Sequence, residues 1–177
     1  CAMDALVFLV DSLLTFLVYA FLLRVLLQLV RADFRNPLAQ AVLALTNWLV
    51  MPLRRLLPPV GRFDTASLVA LLAVQFAATL VLFRLRTGVI YPFVPLASEA
   101  LRALALSTLL LFTVLIFVYA LLSFVAPGVR SPATALLAAL CEPVLGPLRR
   151  VLPVLGGIDF SPLVAIVGLQ ALRILIG

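Results

Sequence analysis

The chain has 177 residues, of which 66% are hydrophobic and 11% charged, with a mean hydropathy of +1.30. A soluble domain carries about a quarter charged residues, so this chain lacks the polar surface that water requires and reads as an integral membrane protein. Its net charge is +6, with all 13 basic residues arginine, and the absence of histidine excludes imidazole bases, His-paired nucleophiles, axial haem histidines and His zinc sites together.

Cys1 and Cys141 are far apart and form no CxxC pair, so neither a disulfide framework nor a metal cluster is indicated, and no cofactor is expected. Cys141 fits a small packing residue in an apolar helix. Cys1-Ala2 ahead of Met3 reads as a processing remnant. The first apolar run is too long for a cleavable signal peptide and is flanked by Asp4 in place of a basic residue.

The first span is expected from about Ala5 to Val30, long enough to cross about 30 Å of hydrocarbon. Near its end Arg24, Gln28 and Arg31 fall at i, i+4 and i+7, one helical stripe. Arginine inside a span either snorkels to the nearby interface, the reading favoured here, or makes a buried polar contact with a neighbouring helix. Asp33-Phe34-Arg35-Asn36-Pro37 follows as a turn, with Asn-Pro suited to an N-cap and the first helical position. Leu38 to Met51 is apolar and helix-compatible but too short to span, so it is expected to be interfacial or re-entrant, with Trp48 and Arg54-Arg55 at the headgroup level. Pro52, Pro58 and Pro59 are expected to prevent a continuous helix through the basic stretch. Asp64-Thr65 caps a second span, from about Ala66 to Leu85. Gly88 to Pro95 connects to the third, with Tyr91 and Phe93 at interface height. Span three runs from about Glu99 to Val125. Ser131-Pro132 then opens a short apolar helix to Leu145, and Ser161-Pro162 opens a final span of roughly 16 residues, short for a bilayer crossing.

The plan repeats because the sequence does. Pro52-Leu53-Arg54-Arg55…Pro58…Gly61…Asp64 recurs as Pro147-Leu148-Arg149-Arg150…Pro153…Gly156…Asp159, and the offset of 95 holds without a gap from Pro37/Pro132 to Gln75/Gln170. The fold class is therefore all-α integral membrane, built as a tandem duplication. Each half comprises a transmembrane helix, a short interfacial or re-entrant amphipathic helix, a Pro-Arg-Arg loop and a second transmembrane helix. Repeat 1 covers 3–88, a linker 89–97, and repeat 2 98–177. Two crossings per half make four transmembrane helices in a parallel pseudo-two-fold repeat. Eight loop arginines (31, 35, 54, 55, 62, 130, 149 and 150) then share one side against Arg84, Arg86 and Arg102 on the other, which places the basic loops in the cytoplasm and both termini outside.

Two constellations are candidates for function. Arg54, Arg55 and Arg62, with Arg149 and Arg150 in the second copy, suit anionic headgroups or an acidic protein partner, while Asp64 and Asp159 act as structural caps of the following helices. The arginines are not gathered with exposed aromatics on a soluble face, so no nucleic-acid partner is expected. Arg24, Gln28, Gln75 and Gln170 are the intramembrane polar candidates. Gln75 and Gln170 lie near the bilayer midplane, where glutamine usually bonds helices together and otherwise could line a narrow path. No acidic ring or carbonyl-filter signature is present, and four spans make a small pore wall, so conduction would require an oligomer.

Leu23-Arg24…Gln28, Asp33-Phe34…Asn36-Pro37, the two Pro-Leu-Arg-Arg copies with their downstream Pro, Gly and Asp, Ser67-Leu68, Arg130-Ser131-Pro132 and Ile158-Asp159-Phe160-Ser161-Pro162 together resemble the YggT family of small bacterial membrane proteins, related to YlmG-type proteins. Tyr119 and Ser123 stand where the first repeat has Arg24 and Gln28, so a role for that stripe cannot be two-fold symmetric. The resemblance implies an inner-membrane protein with no established enzymatic activity; together with the arginine count it makes the expected location a multi-pass inner-membrane one with both termini in the periplasm. It also implies a link to osmotic-shock tolerance and potassium uptake, whereas YlmG-type relatives are linked to cell division, nucleoid distribution and assembly of photosynthetic membrane complexes. The function expected is an accessory component of osmotic-stress or potassium homeostasis; the alternative is a scaffold or assembly factor that binds a partner or anionic lipid through its paired arginines. A homo-oligomer or a subunit of a larger complex is expected. An enzyme is not, since no nucleophile–base pair or metal constellation is present.

Overall fold

A computed structural model describes residues 2–57, 64–89, 92–125, 128, 131–152 and 159–177. Among them the chain forms six α-helices and no strand: α1 (Ala2–Leu29), α2 (Pro37–Leu56), α3 (Thr65–Thr87), α4 (Phe93–Val125), α5 (Pro132–Val151) and α6 (Ser161–Ile176). Three of them, α1, α3 and α4, are long and apolar enough to cross a membrane; α6, with 16 residues, is shorter. The outward surfaces of these helices carry Phe8, Leu13 and Phe16 on α1 and Phe117, Leu121 and Phe124 on α4. Helices that are apolar all round belong in hydrocarbon. The described helices are consistent with a membrane protein.

The helices gather into two compact units, Cys1–Gln28 with Val42–Ala105 and Leu29–Ala41 with Leu106–Gly177. In the first, α1 and α3 run antiparallel: Arg24 and Gln28 bond to Ser67, while Asp11, two turns inside the other end of α1, pairs with Arg86 at 2.8 Å. The inward face of α3 is a ladder of small residues, Ala66, Ala70, Val74 and Ala78, all buried and four apart. Lipid tails offer helices no hydrophobic reason to associate, so close backbone approach through small side chains and hydrogen bonds between helices must do it. Gly88 ends α3 in the left-handed region (φ 72°), its N–H bonding to the Arg84 carbonyl, a conformation that costs a residue with a Cβ about 1 kcal/mol or more. In the second unit Ile116 of α4, Cys141 and Leu145 of α5 and Ala165 of α6 form the buried cluster.

Two expectations are corrected. The helix after the first turn does not stop before the basic stretch: α2 contains Pro52 and runs on through Arg54-Arg55, and α5 likewise contains Pro143 and Pro147 and runs on through Arg149-Arg150. Pro52 removes a single N–H, the one that would bond to the Trp48 carbonyl. The ladder resumes at once, with Leu57 N–H on Leu53 O at 2.8 Å and Leu152 N–H on Leu148 O at 2.9 Å. Pro58, Pro59 and Pro153 lie outside the described residues. The connection after α3 is also shorter than expected, because α4 begins at Phe93 and Pro95 sits in its first turn, where the missing N–H has no intrahelical partner to lose. Tyr91 lies outside the described residues.

The helix starts follow from local chemistry. The Asn36 side chain accepts from Leu38 N–H at 3.0 Å ahead of Pro37, and Ser131 forms a capping box with Thr134 ahead of Pro132. We predict that Ser131→Ala lowers the unfolding free energy by about 1 kcal/mol, in the range found for lost N-caps. Denaturation in mixed micelles followed by circular dichroism measures this.

Candidate functional site

In the first unit the polar residues converge on one arginine. Arg24 is the largest fully buried side chain of the described residues, 1% exposed. Its Nε–H donates to Ser67 Oγ on α3 at 2.9 Å, and its Nη1 donates to Thr46 Oγ1 at 2.7 Å and Asn47 Oδ1 at 2.8 Å, both on α2. Thr46 and Ser67 are themselves fully buried. Thr46 can accept because its own hydroxyl proton is donated back to the Val42 and Leu43 carbonyls of its helix. The expectation that Arg24 snorkels is thus corrected. About five residues from the end of α1, or roughly 7.5 Å, the side chain is long enough to reach an interface, but acceptors on two neighbouring helices lie closer.

Ser67 passes the network on. Its Oγ–H donates to Asp64 Oδ2 at 2.7 Å, and Gln28 Nε2 donates to the same two atoms, at 3.1 and 3.2 Å. Asp64 Oδ2 also accepts from Arg54, through Nε at 3.1 Å and through Nη2. Asp64 holds the N-cap position of α3, yet its side chain makes no capping bond to the backbone; it faces Arg54, Ser67 and Gln28 instead. Burial alone would raise this carboxyl, but the bonds from Arg54 and Ser67, the Arg54 charge and the Gln28 bond outweigh it and hold the group below the ordinary carboxylate range.

The second unit repeats the latch with different surroundings. Arg149 Nε donates to Asp159 Oδ2 at 2.9 Å, as Arg54 does to Asp64 ten residues downstream of it. Asp159 stands one residue before the N-cap position, held by Phe160, and its Oδ1 accepts from Ser161 N–H at 2.9 Å. Burial would raise this carboxyl too, and the bonds from Ser161 and Arg149 bring it below its ordinary value. Arg149 also reaches Glu142 at 3.5 Å and the Tyr119 hydroxyl at 3.3 Å, with its guanidinium 5.7 Å from the Tyr119 ring centre. Offset by 95, Tyr119 replaces Arg24 and Glu142 replaces Asn47. One constellation therefore has two arginines against one aspartate, the other one arginine against two carboxylates. The net charges are opposite. Beside this second latch, Cys141 is buried in the apolar cluster, and burial pushes its thiol up to about 11 despite the opposing pull of Arg149, which suits packing and not reactivity.

The other expected site residues divide clearly. Arg55 and Arg150 are exposed, and their side chains make no hydrogen bond or ion pair among the described residues; Arg62 lies outside them. Gln75 is buried, and its Nε2 donates to Thr79 Oγ1 of its own helix at 3.2 Å. Gln170 is half-buried in α6, with no hydrogen bond among the described residues. Thr46, Asn47 and Glu142 were missed in the sequence. The signal was available at 46 and 47, two adjacent polar residues inside a mostly apolar run.

The family model described as CCB3/YggT matches residues 3–85 and 98–177. The chain belongs to the CCB3/YggT family. It is 37% identical to the protein called "Uncharacterized protein YggT" from Escherichia coli (strain K12) over 172 residues, covering 97% of this chain and 88% of that one. A protein of Pseudomonas aeruginosa is 38% identical over 156 residues, with 88% and 79% covered, and one from Vibrio alginolyticus is 36% identical over 179 residues, with 99% and 95% covered. No solved structure matches the chain.

The latch carboxylate gives this family member a pH dependence whose sign is fixed. A carboxyl with a folded pKa below its unfolded one stabilises fully above the unfolded value, 3.8, and loses that contribution as the pH falls through the lower folded value. We predict that Asp64→Asn is less stable than wild type from roughly pH 7 to pH 5 and that the difference narrows below about pH 4. Thermal unfolding in detergent across that range checks it.

Proposed function

We propose that this member of the family is a non-enzymatic, non-conducting scaffold of the bacterial inner membrane. In this reading α1, α3, α4 and α6 make four crossings in two parallel repeats, with α6 spanning about 24 Å at 1.5 Å per residue. The arginine-bearing ends of α2 and α5 face the cytoplasm, where most of the loop arginines gather. The observation that carries the reading is the commitment of the membrane-depth polar groups. Arg24 and Gln28 join α1 to α2, α3 and Asp64, and Gln75 is bonded within its own helix, so these three are committed to the protein instead of lining a water path. At the arginine-bearing ends of α2 and α5, Arg55 and Arg150 remain for outward-facing chemistry, and their forked donors suit phosphate or carboxylate. The scaffold acts as a homo-oligomer or as a subunit of a larger assembly. Within the osmotic and potassium physiology that the resemblance implies, it is an accessory that holds other components in the membrane.

Ion flux in proteoliposomes tests this directly. We predict no potassium flux above protein-free vesicles for wild type, and no change for Gln75→Leu/Gln170→Leu, with circular dichroism confirming retained helix. Selective flux that the double substitution abolishes would overturn the scaffold reading.

A further inference from the structure

We propose that Arg55, with Arg150 as its counterpart in the second copy, binds the phosphate of anionic phospholipids, while the arginine preceding each serves to hold its helix end. The inference rests on the scaffold reading, in which these helix ends lie at a membrane surface. Within each pair the two arginines are not equivalent. Arg54 is committed to Asp64 and Arg149 to Asp159, Glu142 and Tyr119. Arg55 and Arg150 carry five donors each, are exposed, and have no acceptor among the described residues.

The surroundings of Arg55 select the kind of anion. Trp48, 61% exposed, lies seven residues earlier on the same side of α2, and Leu56, 78% exposed, follows Arg55. Two helical turns, about 10 Å, separate the indole from the guanidinium. An apolar surface edged by an amphipathic ring and ending in a cation follows the order of acyl chain, interface and phosphate in a lipid leaflet. An acidic protein segment would call for further free polar groups around the cation, whereas Trp48 and Leu56 are largely apolar and the exposed Arg54 is already held by Asp64. In α5, Val151, 80% exposed, likewise follows Arg150. The carbonyl end of a helix by itself repels anions. Because Arg54 is paired with Asp64, Arg55 is the guanidinium at the end of α2 that has no counter-ion among the described residues.

Trp48 is the only tryptophan of the chain and reports on its own lipid neighbours. The full chain is reconstituted in phosphatidylcholine vesicles containing equal fractions of either brominated phosphatidylglycerol or brominated phosphatidylcholine, and quenching of Trp48 gives the relative affinity. Wild type should prefer the anionic lipid about fivefold, corresponding to about 1 kcal/mol for one arginine at an anionic surface. Arg55→Gln should remove most of that preference, Arg55→Lys should retain it because the charge remains, and Arg54→Gln should leave it largely in place. Unchanged quenching by brominated phosphatidylcholine in each variant shows that the helix still meets the bilayer. Retention of anionic lipid on the solubilised chain, read by native mass spectrometry, should fall further when Arg150→Gln is added to Arg55→Gln. Equal quenching by the two lipids in wild type, or a preference that survives Arg55→Gln, overturns the proposal. If that occurs in protein that still shows no ion flux, the scaffold reading stands and its anion is an acidic protein segment.

Discussion

A guanidinium placed among apolar helices must be surrounded by acceptors, because nothing in hydrocarbon replaces the water it has given up. Arg24 meets this demand with a hydroxyl from α3 and a hydroxyl and an amide oxygen from α2, all neutral. The nearest negative charge, Asp64, is reached only through Ser67. Each bond to the charged group contributes about 1.5–3 kcal/mol, and an orphaned donor would cost a similar amount. The bonds are therefore an obligation as much as a gain. Three helices are fixed relative to one another because one side chain on the first requires specific atoms on the other two.

The rest of the first unit follows from that arrangement. α3 can present Ser67 to Arg24 only if the helices approach closely, which the buried alanine ladder at 66, 70 and 78 permits. Once Ser67 is held, Asp64 three residues earlier is directed toward Arg54, and the end of α2 is latched to the start of α3. The second unit keeps the latch without the buried cation. Tyr119 takes the place of Arg24 and meets Arg149 with its ring and hydroxyl. Glu142, in the place of Asn47, adds a second carboxylate. A duplicated frame thus carries opposite local charge in its two copies, and the buried arginine belongs to the first.

Much of this was legible from residues. Apolar length marked α1, α3 and α4. The offset of 95 paired Arg54 with Arg149 and Asp64 with Asp159 before any geometry was available, and Asn36-Pro37 and Ser131-Pro132 announced their helices. Proline misled at Pro52 and Pro147, where losing one backbone bond is cheaper than ending a helix whose last turn is tied down by an arginine. Arg24 misled because its distance from the helix end fits both snorkelling and burial, and the difference lies in Thr46 and Ser67, 22 and 43 residues away. Periodicity reports which face a residue occupies and not what stands opposite it. For the same reason the sequence treated Arg54 and Arg55 as one motif, although a single step along the helix turns one toward Asp64 and the other outward.

The three-helix junction depends on Arg24 and Ser67 acting as partners and not as separate contributors to packing. A double-mutant cycle with Arg24→Met, Ser67→Ala and the combination, unfolded in mixed micelles, measures this. The expected coupling energy is about 1.5–3 kcal/mol, the value of a hydrogen bond to a buried charge. Single effects that add to within about 0.5 kcal/mol would contradict it, and the buried arginine would then not be what holds the three helices together.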